Sequence, residues 1–398
     1  MIQSSLSTVM APGRSKGKTS AFKGPGTAER TKLILGSLAF LLLTIGIFWY
    51  QFQRVQAHDA GPEWSRLQWG YLFFMLLLLP MDTVSGGLRI WLVSRVLQPG
   101  TRFWTCLKAE WANIGVSMLT PSQTGGGFGQ IYLLTRGGAS VGTALTVSLI
   151  SFLGTVIGLM CLGVYFGCFG DMLLKGRLFQ GAVWTFTLIC GSMVVGALWP
   201  GLFRVVIAGI SRSFCRLCGG GGALQRWWAR RGEGLGPSLV SEQSPSQERM
   251  GPLAAKLVNL VYGYHNDARR FLREGRGSFA CVLLLSFAFM VSRGITAFLC
   301  LRFLGIQEST FWEVLEVQLA LIFLIYFAPT PGASGLAEGI SLTMMASVVP
   351  NGFAPYYNLL WRASTLYLPA MAGLLFLGHA MLQDAHKLWP RSSITSQK

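Results

Sequence analysis

A chain of 398 residues that is 52% hydrophobic and only 12% charged, with a mean hydropathy of +0.48, is too apolar for a soluble domain, which carries about 25% charged residues. Its net charge of +17 suits a nucleic-acid binder when taken alone. The basic residues fall between apolar runs, however, as the Lys/Arg excess of cytoplasmic loops does, so membrane orientation accounts for the charge and nucleic acid is set aside as a partner.

The segment 1–32 is a basic tail (Arg14, Lys16, Lys18, Lys23, Arg30, Lys32) rich in Ser and Gly. The apolar stretch after it, Leu33–Phe52, has full span length and no small-residue cleavage site, so it reads as a retained first span rather than a signal peptide. Trp69–Met81 continuing through Trp91, Gly142–Phe166, Gly181–Trp199, Phe279–Leu304 and Tyr356–Leu382 are of similar length. Runs of about 20 apolar residues cross a hydrocarbon core of about 30 Å. Glu316–Ala328 and Leu336–Val349 are too short, and read as two half-spans or one broken helix. The expectation is an all-α integral membrane protein with about six full transmembrane helices and two re-entrant broken-helix segments, 119–136 and 316–349.

Loop charges give one topology. The N-terminus, Val93–Val141, Pro200–Ser278 and the tail 383–398 carry the Lys/Arg and lie inside, whereas Gln53–Gln68, Gly167–Gln180 and Gly305–Leu315 lie outside. This places the chain in the cell's inner (cytoplasmic) membrane with both termini cytoplasmic. Segment 211–278 is a linker that divides a first membrane half, 33–210, from a second, 279–382. Within it Leu253–Arg276 has helical spacing of Leu253, Leu257, Leu260, Val261 and Tyr264 among basic residues, the pattern of a helix lying on the membrane surface. Of eight cysteines, only Cys215 and Cys218 have metal-like spacing, and with no second pair nearby neither a metal nor another cofactor is expected.

The two halves share a motif. Thr120-Pro121-Ser122-Gln123-Thr124-Gly125 recurs as Thr330-Pro331-Gly332-Ala333-Ser334-Gly335. Proline removes a backbone N–H and breaks a helix, and the glycines Gly125, Gly126, Gly332 and Gly335 tolerate the angles of a break. The charge count has one copy enter from inside and the other from outside, which makes an inverted repeat of the kind found in secondary transporters. Each following helix points free N–H groups toward mid-membrane, where they favour an anion, and Thr124 and Ser334 add hydroxyls at or near the cap.

Charged residues inside spans are costly and mark function or pairing. Arg293, Arg362 and Glu338 lie well inside, Asp82 and Arg89 share one face of the second span, and Arg89 and Arg302 are near enough to an edge to snorkel. Asn113 and Glu110 lie on the amphipathic stretch before the first break, and Arg136 follows it. Arginines grip phosphate, while a carboxylate takes an amine or a coupling proton. Trp49, Tyr50, Trp69, Tyr71, Trp104 and Trp111 suit interfacial belts. Walker, HExxH and nucleophile-elbow motifs are absent, so a transporter is expected rather than an enzyme.

These residues resemble the lysylphosphatidylglycerol synthase transmembrane family, or flippase-like domain family, which includes the lipid-flipping membrane half of the bacterial multiple peptide resistance factor. The resemblance runs over roughly Leu33–Leu382. It is carried by Leu119–Leu134 with Arg136, by Ala328–Glu338, and by Arg362 followed by Pro369. Many relatives have Gly-Gly-Glu-Pro after the first break, where this chain has Gly125-Gly126-Gly127-Phe128. The aminoacyl-transferase domain of the fused relatives is expected to be missing, since little chain follows Leu382. The resemblance implies a lipid flippase for a phospholipid or other phosphate-bearing lipid, anionic or zwitterionic. The alternative is an accessory subunit presenting lipid to a separate synthase or glycosyltransferase. A lipid-modifying enzyme partner and homo-oligomerisation are compatible with either.

Overall fold

A computed structural model describes residues 45–46, 49–50, 53, 64–120, 123–169, 177–198, 252–326 and 328–388. Most of the expected first span, Pro121 and Ser122, the linker up to residue 251 with Cys215 and Cys218, the N-terminal tail and residues 389–398 lie outside the described residues. Those described are helical, with no strand among them.

In chain order the helices are α1 (Trp69–Leu97), α2 (Phe103–Leu119), α3 (Gly126–Arg136), α4 (Val141–Phe169), α5 (Arg177–Leu198), α6 (Pro252–Glu274), α7 (Arg276–Phe303), α8 (Phe311–Ile325), α9 (Leu336–Met344), α10 (Ala354–Arg362) and α11 (Leu368–Leu388). A π-helical turn, Ala363–Tyr367, makes α10 and α11 continuous. Among the described residues, α1, α4, α7 and the run Ala354–Asp384 are long and apolar enough to cross a membrane. α1 and α4 have 29 residues each, about 43 Å at 1.5 Å per residue, so a 30 Å core accommodates them by tilt. Their outward faces are apolar: Trp69, Phe73, Phe74, Leu76 and Leu77 of α1 and Leu375 of α11 are all exposed.

The broken segments are built from shorter pieces. α2 and α3 have 17 and 11 residues, and α8 and α9 have 15 and 9. α8 begins earlier than its apolar run because Thr310 closes a capping box with Glu313: the Thr310 N–H donates to Glu313 at 2.8 Å and the Glu313 N–H to the Thr310 hydroxyl at 3.4 Å.

Close helix contact depends on small residues, as expected where lipid removes the hydrophobic drive between helices. α2 is the most enclosed, lying against α1, α3 and α11. A Cβ on Gly373 of α11 would stand 1.8 Å from the Trp111 carbonyl oxygen of α2. Trp111 stacks on Phe376 at 4.7 Å, so it joins α2 to α11. α6 is more than a surface helix: Tyr264, Ala268 and Phe271 are buried, its packing partners include α4 and α1, and Asp267 accepts a hydrogen bond from Thr143 at 2.9 Å.

Candidate functional site

The two motif copies share a left-handed residue at their fourth position and differ at the closing glycine, where φ is −77° at Gly125 and 83° at Gly335. Gln123 and Ala333 hold the same place in the repeat, and their φ angles are 55° and 57°. Among the described residues no other non-glycine has positive φ. In each copy that residue donates its N–H to the motif threonine's carbonyl, at 3.3 Å to Thr120 and 3.0 Å to Thr330. In each copy a helix begins just after the closing glycine, so the N-caps are Gly125 and Gly335, and Thr124 and Ser334 lie one residue before them. A left-handed residue without a glycine is strained, and such strain persists where surroundings enforce it.

The copies differ in what satisfies the break. In the second, Glu338 receives the Gly335 N–H at 2.7 Å on one carboxylate oxygen and the Arg362 Nε at 2.8 Å on the other. Arg362 also donates Nη2 to the Gly332 carbonyl at 2.7 Å. Glu338 is 1% exposed and Arg362 3%. One ion pair thereby satisfies a donor and an acceptor that the break itself frees. In the first copy, the Thr120 hydroxyl accepts the Gly125 N–H at 2.9 Å, and the Ser117 hydroxyl donates to the Gln123 carbonyl at 3.3 Å. The third residue of the following helix, where the second copy has Glu338, is Phe128, exposed to solvent or lipid.

A second set of charges lies between α1, α2, α4 and α7. Asp82 accepts from the Ser292 hydroxyl and pairs with Arg293 at 3.6 Å. Arg89 pairs with Glu110 at 3.6 Å and donates Nη1 to Thr155 at 3.0 Å and to Ser286 at 3.3 Å. Both guanidinium groups lie over the Phe289 ring, at 4.6 Å for Arg293 and 5.2 Å for Arg89. Arg293 Nη1 also donates to the Thr365 carbonyl at 2.6 Å, inside the π turn. Single π turns recur at functional sites and alter the ladder of backbone bonds. Two cations and two anions thus sit together in an apolar bundle, with Asp82 and Arg89 in separate pairs although they share α1.

The remaining candidates lie elsewhere. Arg136 pairs with Asp384 at 3.1 Å and Gln383 at 2.7 Å, tying the end of α3 to α11. Arg302 donates to the Ile306 and Ser309 carbonyls at 2.8 and 2.7 Å, closing the loop after α7. Asn113 stands against the first break: its Oδ1 and the Ser117 Oγ are each 2.1 Å from where a Gly126 Cβ would be.

Sequence reading passed over a row of small polar residues on α4 and their partner on α3. Ser148 donates to Gln130 at 3.1 Å, and Ser151 and Thr155 follow at spacings of three and four. That helical spacing within an apolar run was the available signal.

Comparison with protein-family models matches residues 34–373 to the one described as Lysylphosphatidylglycerol synthase TM region. A search of curated proteins finds no match.

Proposed function

We propose that this chain, which belongs to the lysylphosphatidylglycerol synthase TM region family, moves a phospholipid or other phosphate-bearing lipid between membrane leaflets. The observation that carries the reading is the pair of helix breaks, alike in sequence and in the left-handed residue each contains, beside charges buried in an apolar bundle. Broken helices meeting at mid-membrane are how secondary transporters bind substrate, and alternating access follows from rocking one repeat against the other. On this reading the full chain has six spans with two re-entrant segments of opposite orientation, and its termini are cytoplasmic in the cell's inner membrane. It acts as a transporter and carries out no lipid synthesis.

The ion pair Arg362–Glu338 keeps the second break rigid. The cluster of Asp82, Arg293, Arg89 and Glu110 supplies exchangeable partners for a headgroup's phosphate and amine, because each guanidinium and carboxylate there is held at 3.6 Å rather than in a tight bidentate contact. Reconstitution of the purified chain into liposomes is the test. Fluorescent phospholipid or prenyl phosphate is expected to become accessible to an external quencher faster than in empty liposomes, and Arg293→Gln is expected to slow this. Equal rates with and without protein overturn the reading. Lipid transfer that appears only on adding a separate synthase or glycosyltransferase favours an accessory subunit instead.

A further inference from the structure

The polar residues of the first half form a frame. On α2, Glu110, Asn113 and Ser117 share one face at spacings of three and four. On α4, Ser148, Ser151 and Thr155 do the same. Each row covers seven residues, about 10 Å along its helix. At one end both rows meet the start of α3. Asn113 and Ser117 of α2 close on Gly126, and the Ser148 Oγ of α4 lies 3.5 Å from a Cβ position on Gly127. At the other end both meet Arg89, which pairs with Glu110 of α2 and donates to Thr155 of α4.

Several buried groups in this frame have no hydrogen-bond partner among the described residues: Gln130 Nε2, Arg89 Nε, Ser151 Oγ and, one turn before Arg89, Ser85 Oγ. Gln130 is 3% exposed and Arg89 7%. Gln130 is directed here by its other amide atom, Oε1, which accepts from Ser148. An unpaired buried polar group costs about 1–3 kcal/mol, so a cluster of them is retained against stability. Gln130 stands at the α3 end of the frame, through its bond with Ser148, where the positive helix end favours an anion, and Arg89 stands at the other end with Glu110 and Thr155.

We infer that the α3 end of this frame is a phosphate site, built from Gln130, Ser148 and Ser151 with the first N–H groups of α3, and that substrate phosphate binds in the first half of the chain. The inference rests on the lipid-transport reading for the lipid attached to that phosphate. At the second break the Gly335 N–H and the Gly332 carbonyl are held by Glu338 and Arg362, although the Thr330 hydroxyl has no partner among the described residues, and on this inference that break serves as the fixed element.

Retention of lipid by the full chain tests the site. Protein purified in detergent is exposed to phosphatidylglycerol, to diacylglycerol with the same tails, and to inorganic phosphate, and bound species are read by native mass spectrometry. Phosphatidylglycerol is expected to be retained over diacylglycerol. Ser151→Ala and Gln130→Leu are each expected to weaken that retention about tenfold, the effect of one hydrogen bond to a charged group. Ser151→Ala, which removes only an unpaired hydroxyl, is expected to melt no lower than the unaltered protein. Lower retention together with unchanged or higher melting separates a binding role from a structural one. Displacement of the lipid by millimolar inorganic phosphate supports the site with free phosphate as a ligand; no displacement supports it with the lipid headgroup as the ligand. Equal retention of diacylglycerol, or retention unchanged in both variants, overturns it. The liposome assay reports separately on transport, so a protein that binds phosphate here and moves no lipid refutes the transport reading and leaves the site standing.

Discussion

Replacing Glu338 by alanine separates a structural clamp from a ligand-binding carboxylate. The side chain holds the buried Arg362 at 2.8 Å and the half-buried Gly335 N–H at 2.7 Å. Removing one member of a buried ion pair costs about 3–5 kcal/mol because the other charge is stranded. Orphaning the Gly335 N–H adds about 1–3 kcal/mol, so the total is about 4–8 kcal/mol. Arg362→Met strands Glu338 and also the Gly332 carbonyl that Arg362 satisfies at 2.7 Å. The double variant Glu338→Ala/Arg362→Met removes both charges. It is expected to be more stable than either single variant, retaining mainly the two orphaned backbone groups. Thermal melting of the purified protein in a fixed detergent, arranged as a double-mutant cycle, measures this coupling. Independent, additive effects refute the clamp. So does a Glu338→Ala protein that melts normally yet loses lipid retention, since that pattern belongs to a carboxylate facing a ligand.

Two further outcomes follow from local geometry. A Cβ at Gly86 would stand 2.3 Å from Glu110 Oε1, so Gly86→Ala is expected to displace Glu110 from Arg89 and cost about 1–3 kcal/mol, as overpacking does; adding Glu110→Gln should then cost little more, and a fully additive melting shift argues against the displacement. At the start of α8, hydrogen bonds from the Thr310 N–H and hydroxyl region hold the exposed Glu313 carboxyl below its ordinary 4.5. A depressed value in the folded state means the cap is intact at neutral pH and lost as pH falls through that lower value. Protection of the Thr310 amide from hydrogen exchange, corrected for intrinsic rate, should drop below pH 4.5 and be insensitive to pH in Glu313→Gln.

Four of the expected spans and the motif's recurrence were legible because they depend on local composition. Pro, Gly and Thr at fixed offsets specify a break wherever they occur, and the matched φ angles of Gln123 and Ala333 are the direct expression of that spacing. Pairing was less legible. Asp82 and Arg89 share a face, but seven residues separate them by about 10 Å along α1, too far for an ion pair, and their partners come from α7 and α2. Nothing local to Glu110 distinguishes a wet face from a buried one until Gly86 brings α1 against it. The π turn at Ala363–Tyr367 has no sequence signature, although it brings the Thr365 carbonyl to Arg293. Ser148, Ser151 and Thr155 lie within an apolar run, where single hydroxyls usually bond their own helix, and only the orphaned state of Ser151 sets the row apart.

The inequality of the two breaks leads to one more experiment. In α9 the Ala337 N–H is already bonded to the Ala333 carbonyl, and the third residue, Glu338, turns back to occupy the positive end of its own helix. In α3 the third residue is Phe128, 76% exposed, so that end is left to the Thr120 hydroxyl and to whatever anion approaches. Phe128→Glu supplies the missing carboxylate at the position from which a capping box forms. It is expected to raise thermal stability slightly, by about 0.5–1 kcal/mol from charge at a helix start, while lowering phosphatidylglycerol retention several-fold through repulsion at the phosphate. Phe128→Gln caps without charge and should leave retention near that of the unaltered protein. If Glu and Gln at this position lower retention equally, the loss comes from the aromatic ring, and the open end of α3 does not select for negative charge.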